Sequence, residues 1–163
     1  MSDQANSDPR REMLRHTLAT LAYRGGKAVR NAPANFSEYH GCDGMRTPGQ
    51  ILAHIGDLLD WAWSLGVGKQ AWHDSKPLPW EQEIERFFAA LKKLDDSLAA
   101  EESAGAPLEK MFQGPVADAL THVGQISLLR RLAGNPVKAE NYFAAEIVVG
   151  RVGADQASPK REF

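Results

Sequence analysis

Apolar residues in this chain recur every three or four positions, in segments of helical length bounded by helix-starting and helix-ending residues. No segment alternates apolar and polar residues for long enough to read as a half-buried strand. This constrains the fold more than any other feature, because each such segment must bury one stripe against another helix. The expectation is an all-α bundle. Ile147, Val148 and Val149 are β-branched, but three residues are too few to argue for a sheet.

The stretch Gly114–Gly134 shows the pattern most fully. Pro115 stands where a helix would begin and Gly134 where it would end. At about 100° per residue, Asp118, His122, Gln125, Ile126, Leu129 and Leu132 share one stripe, while Arg130 and Arg131 fall elsewhere. A face expected to enter the core therefore carries a carboxylate and an imidazole one turn apart. Burying such groups without partners is costly, and a metal ion would satisfy both.

Other helix signals are local and specific. Asp8-Pro9 starts a first helix with Met13, Leu14, Leu18, Leu21 and Ala22 at helical spacing. Gly25-Gly26 either weakens that helix or lets another approach closely. Residues 31–46 read as a long loop. Thr47-Pro48-Gly49-Gln50 reads as a capping box opening a second helix to about Leu65, with Ile51, Ile55, Leu58, Leu59, Ala62 and Leu65 inward. His54 lies inside that stripe, and Asp57 and Asp60 lie off it, toward solvent. A loop over 69–80 leads to a third helix over about 81–100, with Ile84, Phe87, Phe88, Leu91, Leu94 and Leu98 as its apolar face. After a break at 101–107, a short segment, 108–113, precedes the Pro115 helix. A last helix is expected over about 138–149, and Val152 and Phe163 are the residues that would pack the tail. The divisions are thus a frayed tail over 1–8, one helical domain over 9–150 and a C-terminal tail over 151–163.

The chain has 163 residues, enough for one domain with a real core. Its net charge of −2 gives no global field toward nucleic acid. A single cysteine, Cys42, rules out an intrachain disulfide. No apolar run approaches the roughly 20 residues of a membrane span, and the polar N-terminus does not read as a signal peptide. The expected location is cytoplasmic, with no nucleic-acid or membrane partner.

If the second helix neighbours the Pro115 helix, His54, Asp118 and His122 converge as three N/O donors, a set that suits zinc, nickel, iron or manganese. Three protein ligands leave positions open for water or substrate. The same residues also fit plain structural roles: His54 as a hydrogen-bonded packing residue, Asp118 as a carboxylate favoured by a helix N-terminus, His122 as its partner. Gln125 shares the stripe and either orients a bound water or bonds another helix. His16, His40, His73 and Tyr142 fit surface or packing roles, with His40 and His73 as candidates for a pocket mouth and Tyr142 for a reach toward the site. Trp61, Trp63, Trp72 and Trp80 read as core or interface residues.

The run Thr-Pro-Gly-Gln-Ile-Leu-Ala-His-Ile-Gly-Asp-Leu around His54, followed by Thr-His-Val-Gly-Gln-Ile-Ser-Leu-Leu-Arg around His122, resembles the DinB/YfiT-like superfamily over roughly residues 10–150. The resemblance implies a four-helix up-down bundle, here with an additional short C-terminal helix, and a three-ligand metal site. His54 matches the first ligand and His122 the last, while Asp118 stands where the family more often has histidine. It further implies a divalent metal, zinc or nickel before iron or manganese, and homodimers. The implied chemistry is thiol S-transfer or hydrolysis on a small-molecule substrate, with a low-molecular-weight thiol as a candidate partner. The other class to weigh is a non-catalytic, small-molecule-binding or stress-response dimer with a degenerate site.

Overall fold

The computed structural model describes residues 8–100 and 105–163. The expected tail over 1–8 falls, except for Asp8, outside the described residues. Helix α1 (Pro9–Val29) starts as the sequence indicates, with the Asp8 side chain accepting from the Arg10 backbone N–H at 3.0 Å. Helix α2 (Pro48–Gly66) opens on a complete capping box: Thr47 Oγ1 accepts from Gln50 N–H, and Gln50 Oε1 accepts from Thr47 N–H. Helix α3 (Trp80–Ala99) follows the connection 67–79. The last long helix is continuous in three pieces: α4 (Leu108–Met111), a π turn (Phe112–Val116) and α5 (Ala117–Leu132).

Pro115 therefore does not start a helix; it lies inside one. Proline has no N–H to give the ladder and crowds the preceding turn. Widening that turn to π geometry accommodates it. The π turn ends two residues before Asp118.

α2 packs against α3 and α5, and α1 packs against the same two. Consecutive helices α1 and α2 thus lie across the core from each other rather than side by side, and the long connection over 30–47 spans that diagonal. Leu18, Leu21, Ile55, Leu59, Phe87, Leu91 and Ile126 fill the centre, all essentially without solvent exposure. Gly25 permits the close crossing of α1 and α3, since a β-carbon there would stand 2.6 Å from Phe87 Cζ. Of the two roles open to this glycine, close approach is the one the fold uses, and α1 runs on unbroken to Val29.

The expected C-terminal helix over 138–149 does not form. Among those residues only Tyr142–Ala144 makes a single 3₁₀ turn. Instead the segment is pinned by long-range contacts. Glu140 pairs with Glu162 as an antiparallel bridge, Lys27 Nζ reaches Glu140 at 2.7 Å and Glu162 at 2.9 Å, and Tyr23 Oη donates to Glu140 at 2.5 Å. Val152 is buried, as anticipated, but Phe163 stands in solvent.

Candidate metal centre

From Val116 on, the buried residues of the last helix are Val116, Ala119, Val123, Ile126, Leu129 and Arg130. Ile126 and Leu129 face inward as read in the sequence, but the centre of the stripe is displaced from it, so Leu132, Asp118 and Gln125 lie on the exposed side. The displacement matters chemically. It puts His122 at the edge of the core, where its side chain is 12% exposed, with Asp118 half-exposed beside it at 47%.

α2 meets α5 here, as the site hypothesis requires. His54, one turn into α2, brings its ring to 4.8 Å from the His122 ring, edge to face. Asp118 stands between the two imidazoles. Its Oδ1 is 3.4 Å from His122 Nε2, and its Oδ2 is 3.9 Å from His54 Nε2. One donor atom from each residue lies within 4.8 Å of the other two. These separations exceed the 2.7–3.2 Å of a hydrogen bond, so the three groups face one another without bonding. Bonds of about 2.0–2.2 Å to nitrogen and oxygen place two donors of a tetrahedral site about 3.3–3.6 Å apart. The His122–Asp118 pair meets that spacing already, and Asp118 Oδ2 stands within about half an ångström of it from His54 Nε2. The residues present therefore fit a divalent cation.

The ring orientations suit ligation. His122 Nδ1 lies 2.7 Å from Gln125 Oε1, which leaves Nε2 facing Asp118. Burial holds the His54 imidazole below its usual pKa, and the neighbouring Arg46 and His122 push the same way against Asp118 and Asp57. Neutral imidazole is the form that binds metal. The outer flank is aromatic: Trp72 packs edge to face on His54 at 5.8 Å, and Trp61 on Trp72 at the same distance.

A second histidine–carboxylate group lies close by: Asp57 and Asp60 of α2 with His73 of the 67–79 connection. The sequence pointed Asp57 and Asp60 to solvent; Asp57 is instead 2% exposed. Arg86 of α3 accounts for its burial. Its guanidinium lies across Gly56 and reaches Asp57 at 2.5 Å, Asp60 at 3.1 Å and the fully buried Glu83 at 3.2 Å. Ser75 adds a backbone N–H and a hydroxyl to Asp57, at 2.8 and 2.7 Å. Arg86 and the Ser75 donors together hold the Asp57 carboxyl below the usual carboxylate range although burial opposes them. His73 joins the group at 3.1 Å from Asp57. This cluster already contains its cation. Its effect is to staple the 67–79 connection to α2, which sets Trp72 against His54.

The remaining sequence candidates lie elsewhere. His16 and His40 are exposed. Tyr142 packs on Tyr23 and under the Arg24 guanidinium, in the groove between α1 and α5 away from the triad. The four tryptophans do not form one cluster: Trp80 packs on Phe36, and Lys93 covers Trp63. Sequence reasoning missed Arg86 and Ser75, and the only signal available was a basic residue on the third helix, which names no partner. Among the described residues no helix is long and apolar enough to cross a membrane. Compared with the models of known protein families, with curated proteins and with solved structures, the chain matches none of them.

Proposed function

We propose that this protein binds one divalent metal ion through His54, Asp118 and His122, zinc or nickel before iron or manganese, and acts on a small molecule by thiol transfer or hydrolysis. One observation carries the reading: three donor groups face one another at spacings too long for hydrogen bonds and suited to a shared cation. A bound divalent cation supplies a Lewis acid that brings a thiol or water toward deprotonation near neutral pH. The residues supply the rest. His54 and His122 present ring nitrogens, Asp118 offsets one positive charge, Gln125 holds the His122 ring through Nδ1, and Trp72 shields one side of His54. The half-exposed carboxylate leaves the approach from solvent open. The DinB/YfiT-like resemblance, with its four-helix up-down bundle, homodimers and thiol chemistry, belongs to this same proposal.

A second reading, a non-catalytic small-molecule-binding bundle with a degenerate site, is favoured by the 3.9 Å gap between Asp118 and His54. Metal analysis of purified protein separates the two, combined with zinc and nickel titration of wild type, His54→Ala and His122→Ala. About one equivalent of metal in wild type, lost in both variants, supports the first. No retained metal and no titratable affinity in wild type supports the second.

A further inference from the structure

The triad shares His122 with a neighbouring cavity of about 270 Å³. Met45, Ile51, Leu128 and Leu129 make its apolar walls, with Gln125 and Arg46 the polar groups at its edges. Leu128 is 54% exposed and forms the outer apolar wall. Arg46 has no carboxylate within ion-pair distance among the described residues. It precedes Thr47, the N-cap of α2, so a positive side chain stands at the positive end of a helix. That placement raises the local potential instead of neutralising it. The capping box fixes the backbone beside Arg46, so its side chain leaves from a rigid element at the cavity.

The geometry points to a small organic carboxylate with an apolar body as the molecule held beside His122. The apolar body fills the space between Ile51 and Leu128, and the carboxylate accepts from Arg46. A guanidinium matches a carboxylate with two parallel hydrogen bonds. With one guanidinium lining the cavity, a singly charged head group fits better than a phosphate dianion. This inference rests on the metal reading only for what happens to the bound molecule; the cavity and Arg46 stand without it.

The test is amide-resolved NMR titration with phenylacetate and with phenylacetamide, its uncharged analogue. Both are added to wild type, Arg46→Gln and His122→Ala, the last without metal, and to zinc-treated wild type. Arg46 is exposed, so its substitution leaves the fold intact, and circular dichroism checks this. Phenylacetate is expected to bind wild type at least about tenfold more tightly than the amide, with shifts centred on Met45, Ile51 and Leu128. Arg46→Gln should bring the two probes to equal affinity. His122→Ala should keep the preference for the acid, which separates this inference from the metal assignment. Equal binding of acid and amide to wild type, an Arg46→Gln protein that keeps the preference, shifts centred elsewhere, or no binding of either probe overturns it.

Discussion

Two clusters of histidine and carboxylate each include residues of α2 and lie close together, and they differ in one respect. Asp57, Asp60 and His73 surround the Arg86 guanidinium, and the Asp57 oxygens also accept from Ser75. His54, Asp118 and His122 face one another with no arginine or lysine of the described residues paired to Asp118. The residue types are those of metal ligands in both. What separates a staple from a candidate centre is whether the acceptors are already occupied. A buried carboxylate needs a positive partner, and in one cluster the chain provides it from α3.

The largest expected effect tests the staple. Arg86→Ala leaves Asp57 and Glu83 buried without their cation. Removing one member of a buried pair costs about 3–5 kcal/mol. Urea denaturation should place the loss near the lower limit, about 3 kcal/mol, because Ser75 still donates to Asp57. A loss under about 1 kcal/mol, the range of exposed pairs, would mean that Arg86 is not what holds the cluster together.

Next in size is the effect of metal itself. Zinc or nickel at about one hundred times its dissociation constant should stabilise wild type by about 2.7 kcal/mol, read as a rise in the thermal midpoint. Asp118→Ala should abolish the rise and His73→Ala should keep it, although both residues belong to histidine–carboxylate clusters. The reverse pattern would move the ion to the other cluster and undo the comparison.

A smaller change sharpens the same contrast. Gln125→Leu frees the His122 ring to adopt the wrong tautomer or rotate. Loss of such a supporting hydrogen bond weakens metal affinity about 10–100-fold. Calorimetric titration reads this directly. Unchanged affinity would show that the Gln125 contact at 2.7 Å plays no part in ligation.

What the sequence allowed one to read follows the range of the interactions. Capping at Asp8 and Thr47 is settled within three residues, and both caps form as expected. The His54–Asp118–His122 triad needed only two helix phases and one helix–helix contact. Three features were misread, two of them because their partners lie far along the chain. Asp57 looked solvent-facing because Arg86 lies 29 residues away. The segment 138–149 has helix-like spacing, but Lys27 and Glu162, at the two ends of the chain, hold Glu140 in an extended bridge. Pro115 carried the residue identity of a first turn and sits mid-helix because Leu108–Met111 precedes it in register.

The smallest expected effect concerns protons at the open cluster. Burial lowers the His54 pKa in the folded protein below its unfolded value of about 6.5. Between those two values the unfolded chain binds more protons, so stability rises with pH across that window. The contribution of His54 is therefore complete above about pH 6.5 and is lost as the pH falls through the folded value. Urea midpoints of metal-free protein at pH 7.5 and 5.5 isolate the term when wild type is compared with His54→Gln, which keeps a polar side chain but does not titrate. Wild type should lose more stability on acidification than the variant. With metal bound, protons and metal compete for the same nitrogen, so the difference between wild type and variant should widen. An equal loss in both proteins without metal would mean that His54 is solvated in the folded state, and the open cluster would then lack the neutral, desolvated nitrogen that distinguishes it from the stapled one.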